Sequence, residues 1–121
     1  MSAEISVSLR LAVNKSYLIH SENPGTFTVD MAGTTGTGGI QSIGTTYEAL
    51  SMGDTGTAGY AYFRNTDATN YVELGVVVAA TFYPFAKLKA GEAGVFRLGT
   101  NTPYALANTA AVSLQYYVLA N

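Results

Sequence analysis

The chain has 121 residues, enough for one domain whose core needs no covalent staples, and only 12% of them are charged, about half the share in a typical soluble domain. A net charge of −2 with no basic cluster argues against a protein that grips a phosphate backbone, and the lack of cysteine excludes disulfides, zinc fingers and thiolate chemistry. No apolar run is long enough to span a bilayer, and Met1-Ser2-Ala3-Glu4 shows no basic region leading into an export signal. With 48% apolar residues and so few charges, either much of the surface meets other protein or the chain is a secreted globular monomer with a neutral, hydroxyl-rich surface, and the first is the expectation.

In chain order, Ile5, Val7, Leu9, Leu11 and Val13 fall on every second residue, which predicts a long strand with one buried and one wetter face. Asn14-Lys15-Ser16 breaks the pattern, and Tyr17–His20 reads as a short second strand. Ser21-Glu22-Asn23-Pro24-Gly25 predicts a turn, because Pro fixes its own φ and Gly accepts positive φ. Phe27, Val29 and Met31 then alternate as a further strand. Residues 33–39 and 53–59 are Gly/Thr-rich and read as loops, either flexible connectors or segments that order against a neighbour. Between them, residues 40–52 read as strand.

The organising stretch is Gly59–Gly75. Tyr60, Tyr62 and Phe63 form one strand; Val72, Leu74, Val76 and Val78 alternate in the next. Between them, Asn65, Asp67 and Asn70 have side chains that bond to backbone two residues on, so the pair reads as a hairpin joined by a polar turn. Ala79-Ala80 crosses to a strand over 81–88, where Pro84 cannot donate to a ladder and predicts an edge or a bulge. Val95–Leu98, Tyr104–Asn108 and the alternating Val112, Leu114, Tyr116 and Val118 complete eight or nine short strands. The fold class is all-β, an antiparallel β-sandwich with a jelly roll among its forms, over a single domain 1–121.

The sequence offers little chemistry. His20 is the only histidine, and nothing in the spacing joins it to an acid and an activated hydroxyl, so a strand-end or surface position is expected. The eight carboxylates are scattered, with no pair at glycosidase spacing. Asn65, Asp67 and Asn70 lack an EF-hand register and read as turn caps rather than calcium ligands. The glycine loops carry no lysine and so make no phosphate-binding loop. No catalytic, cofactor or metal residue is therefore assigned, and the chain reads as a non-enzyme.

Nine tyrosines against no tryptophan are more informative, since tyrosine suits interfaces and sugar stacking as well as a sandwich core. The interface candidates are Tyr60, Tyr62, Arg64, Tyr83, Arg97, Tyr104 and Tyr117, with Tyr116 beside them. Arg64 and Arg97 lie in apolar strands, so either their faces are wet or each meets a carboxylate such as Glu73 or Glu92.

Three segments carry a resemblance. Gly59–Gly75, the run Phe82-Tyr83-Pro84-Phe85-Ala86-Lys87-Leu88-Lys89-Ala90-Gly91-Glu92 with Phe96-Arg97-Leu98, and Val112–Tyr116 resemble a block in small virion structural proteins of tailed bacteriophages. The capsid decoration, or cement, type is the form this resemblance suggests. It implies a non-enzymatic β-sandwich, made in the host cytoplasm and bound as a homotrimer to the major capsid protein on the outside of the shell. It implies no cofactor, no direct nucleic-acid contact and no membrane. The competing reading is a tail or head-fibre component acting as a carbohydrate- or receptor-binding β-sandwich module.

Overall fold

Alternation at period two runs through most of the chain, and the computed structural model, which describes residues 3–121, turns it into strands: β1 (Ile5–Lys15), β2 (Leu18–Val29), β3 (Gly36–Ile43), β4 (Glu48–Ala49), β5 (Ala58–Asn65), β6 (Val72–Val78), β7 (Thr81–Leu88), β8 (Ala93–Arg97), β9 (Tyr104–Ala107) and β10 (Val112–Ala120). All the pairing is antiparallel. Met1 and Ser2, where the export-signal reading starts, lie outside the described residues. Where the sequence reads as one sandwich over 1–121, the structure divides into two compact units, the first ending at Ala32 and the second spanning Gly33–Asn121.

The first unit is a long hairpin, β1 with β2. Its reversal is at Ser16-Tyr17, between paired Lys15 and Leu18, and Ser16 takes a φ of 53°. Positive φ in a two-residue loop matches the twist of the flanking strands. The predicted turn at Ser21–Gly25 is instead a bulge within one continuous β2. Leu9 pairs with Gly25 and Leu11 with Glu22, so Arg10 stands opposite both Asn23 and Pro24. The turn chemistry is used, with Gly25 at φ 76° donating its N–H to Asn23 Oδ1 at 2.9 Å, but it kinks the strand rather than reversing it.

In the second unit two four-stranded sheets, β3-β10-β5-β8 and β4-β9-β6-β7, enclose one apolar core. The chain changes sheet at every connection but β6–β7, and the strand orders are those of a jelly roll. The alternation of β10 is realised fully, with Val112, Leu114, Tyr116 and Val118 all inward and buried beside Phe63 and Ile43.

This topology corrects the central hairpin. β5 and β6 are both strands, but they belong to opposite sheets and do not pair. The polar segment between them is an arch across the sandwich edge, held by its own side chains. Asn65 is fully buried, accepts the Asp67 N–H at 2.8 Å, and donates to the carbonyls of Asn70 at 2.8 Å and Leu88 at 2.9 Å. The one hairpin of this unit is β6–β7, turning at Ala79 and Ala80, with φ of 50° and 63°. Positive φ at both central residues is the geometry of a type I′ turn, here reached by alanines at some steric cost.

Two further expectations meet the structure differently. Pro84 lies on edge strand β7, and the register there shifts between Leu74–Ala86 and Gly75–Pro84, so edge and bulge occur together. The loop read over 33–39 becomes strand from Gly36 onward, pairing with Leu119, Val118, Tyr117 and Tyr116 of β10. Those glycines are in the ladder because a side chain covers them. A Cβ at Gly36 or Gly38 would come within 2.7 or 2.4 Å of the Tyr117 ring. Residues 45–47, read as strand, are not strand, and residues 45 and 46 form a bend before the two-residue β4.

Candidate interaction surfaces

Side chains along a strand alternate faces, so the residues between the buried members of β5 and β10 must point away from the core. Cross-strand register then groups them. One row runs Ile40, Gln115, Arg64, Ala93; the next runs Gly38, Tyr117, Tyr62, Val95; Tyr60 stands opposite Arg97. Five of the seven candidates from the sequence, Tyr60, Tyr62, Arg64, Arg97 and Tyr117, thus share the outer face of sheet β3-β10-β5-β8. Tyr83 and Tyr104 belong to the opposite sheet. Tyr83 is exposed on β7, and Tyr104 packs edge-on against Tyr47 at 5.9 Å, which itself stacks on Phe82.

Tyr116, grouped with these by sequence, faces inward and is 4% exposed. Its hydroxyl donates to Ser51 O at 2.7 Å, and Gln41 Oε1 lies 3.2 Å away. Burial pushes this phenol above its ordinary value, and the bond to Ser51 offsets part of that rise. It is a core residue whose polar tip is satisfied.

The two arginines take the wet-face alternative. Arg97 donates to Asn121 Oδ1 at 2.8 Å and lies 4.8 Å over the Tyr60 ring. Arg64 is exposed, and no described residue supplies it with an ion pair. Neither meets Glu73 or Glu92; Glu92 instead accepts the Lys89 N–H at 2.8 Å and closes its own turn. No Asp or Glu occurs in any of the four strands of this sheet.

The Tyr117 ring is 49% exposed although it covers Gly36 and Gly38. Those two contacts lie on opposite sides of the ring, at Cε1 and Cδ2, so the ring lies flat along the edge strand. Its free face looks outward. Beside it is a shallow depression of about 460 Å³ lined by Gly38, Gly39, Ile40, Tyr62, Gln115, Tyr116 and Tyr117. Sequence reading missed Gln115, Ile40 and the two glycines, because their relevance comes from register with β10.

A second surface was also missed. On the hairpin, Val7 is buried, but Leu9, Leu11 and Val13 on the same face are 40%, 69% and 38% exposed, and Leu18 is 60% exposed. Period two shows that these residues share a face, not that anything covers it. Both strands are also edges, since the hairpin forms a two-stranded sheet of its own. His20 lies on this hairpin and meets Glu22, Nε2 to Oε2 at 2.5 Å, with both side chains more than half exposed.

The arch residues act as turn caps. Asp67 Oδ2 accepts the N–H groups of Asn70 at 2.7 Å and Thr69 at 3.0 Å, which hold its carboxyl below the ordinary 3.8. A depressed folded-state pKa stabilises the fold above the unfolded value, and that contribution is lost as pH falls through the folded one. The melting temperature of Asp67→Ala is therefore expected below that of the parent at pH 7. The gap should narrow as pH drops below about 4, as thermal melts across pH 7 to 2 will show.

Among the described residues no group of His, Cys, Asp and Glu is placed to hold a metal ion. Comparison with protein-family models, with curated proteins and with solved structures returned no match.

Proposed function

We propose that this chain is a non-catalytic virion protein of a tailed bacteriophage that binds the outer surface of the capsid shell and stabilises it, with the major capsid protein as partner. The observation that carries this reading is the hairpin β1–β2: a long two-stranded ribbon with exposed Leu9, Leu11, Val13 and Leu18 along one face and two unpaired edges. Exposed apolar rows of this kind are sites of association, and free edges accept a further strand through backbone hydrogen bonds. The resemblance of Gly59–Gly75 and the segments after it to small phage virion proteins supports the same reading, as does the low share of charged residues. On this reading the chain acts as a homo-oligomer, a trimer by the resemblance, and many modest contacts rather than one pocket hold the shell together.

The test is co-sedimentation of the protein with empty capsid shells, alongside mass spectrometry and cryo-microscopy of purified particles. The protein is expected in particles, on the head. The double variant Leu11→Lys with Leu18→Lys, both at exposed positions, is expected to bind shells at least about tenfold more weakly with its melting temperature little changed. Absence from particles, or unaltered shell binding by the double variant, overturns the reading.

A further inference from the structure

The outer face of sheet β3-β10-β5-β8 has a chemistry that shell attachment through the hairpin does not use. It holds two of the three arginines of a chain whose net charge is −2, and no carboxylate occurs in its strands. Positive charge has been gathered on one face of an acidic protein. Here, too, a tyrosine ring lies flat with one side open, a second tyrosine stands beside it across β10–β5, and the Gln115 amide borders the depression between them. The Arg64 guanidinium and the Gln115 amide have no hydrogen-bond partner among the described residues, so their donors are available to a ligand.

We propose that this face binds an acidic polysaccharide. Flat, outward-facing aromatic rings complement the apolar faces of sugar rings, which prefer to stack rather than insert. Arg64, one register row away from Tyr62 and Tyr117, is the group that pairs with a sugar carboxylate, since guanidinium and carboxylate meet in a two-bond fork. Gln115 supplies both a donor and an acceptor for ring hydroxyls. The depression of about 460 Å³ is of the size that small ligands occupy.

A single-stranded nucleic acid also stacks on aromatics, but it carries a charge on every nucleotide and demands a cationic groove. This face has no lysine, and Arg97 is already engaged by Asn121 and Tyr60. One free guanidinium beside two rings fits a chain of sparse negative charge.

The test is calorimetric titration of the intact protein with hyaluronate, which carries a carboxylate on every second sugar only, with neutral dextran and with an oligo-dT strand. Hyaluronate is expected to bind and dextran not to, with affinity falling as salt rises. Arg64→Gln, at an exposed position, and Tyr117→Ala are each expected to weaken binding about tenfold, whereas Tyr117→Phe keeps the ring and the affinity. Circular dichroism checks that Tyr117→Ala, which uncovers the edge glycines, still folds. Equal binding of dextran, tighter binding of oligo-dT, no binding of hyaluronate, or an Arg64→Gln variant that binds like the parent overturns the proposal. Shell co-sedimentation of Arg64→Gln is expected to be unaffected, so failure here and failure of the capsid reading give different results.

Discussion

Replacing Asn65 by Ala is expected to lower the unfolding free energy by about 4 kcal/mol, the sum of several buried polar groups left without partners. Asn65 is fully buried at the arch between the sheets, and its amide makes three hydrogen bonds to backbone. Alanine strands the carbonyls of Asn70 and Leu88 and the N–H of Asp67 where water does not easily replace the lost groups. A small domain has roughly 5–15 kcal/mol in total, so the loss is about a quarter to four fifths of the whole. Asn65→Asp should be worse. It puts a carboxylate oxygen where an amide N–H₂ now faces two carbonyl oxygens, adding repulsion to a buried charge. Urea unfolding of both variants is the measurement, and an Asn65→Ala loss under about 1 kcal/mol would show that the arch is held by something else.

Gly75→Ala is expected to cost about 3 kcal/mol, at the upper end of overpacking effects, because the clash is with main chain rather than with a side chain that can turn aside. A Cβ at Gly75 would lie 2.2 Å from the Tyr83 carbonyl oxygen and 2.7 Å from Pro84 Cα. β7 crosses unusually close at this point, where its register shifts beside Pro84. Relief requires β6 and β7 to move apart. Hydrogen exchange should therefore speed up at β7 amides while those of β10, central in the other sheet, remain protected. A variant with parental stability and uniform exchange would show that the close approach relaxes freely.

These two residues show how far the sequence is legible. Asn65 stands out in sequence as one of three Asx residues in a turn-forming segment, and local bonding of Asx side chains to backbone two residues on is what the structure displays at Asn65 and Asp67. Its second task, bonding to Leu88 O across 23 residues, depends on which strand lies beside the arch. Likewise Pro84 announces an edge or bulge by lacking an N–H, while the need for glycine at position 75 follows only from the strand opposite.

The candidate surfaces divide the same way. Tyrosine abundance and arginines in apolar strands mark Tyr60, Tyr62, Arg64, Arg97 and Tyr117, but the same signal includes Tyr116, which is core, and Tyr104, which packs in an aromatic cluster. No property of a single residue separates these cases, since parity along a strand is relative to a core that must first be located.

By itself, then, the sequence determined the all-β class, most strand positions, an edge or bulge at Pro84 and the capping chemistry of the arch. Each follows from period-two alternation or from φ and donor constraints acting within a few residues. Only the tertiary structure decided that consecutive strands β5 and β6 part into opposite sheets, that Pro24-Gly25 kinks rather than reverses its strand, and that glycines 36 and 38 pair in a ladder under Tyr117. Those outcomes rest on contacts between residues far apart in sequence, where local preferences of about 1 kcal/mol yield to the burial of a shared core.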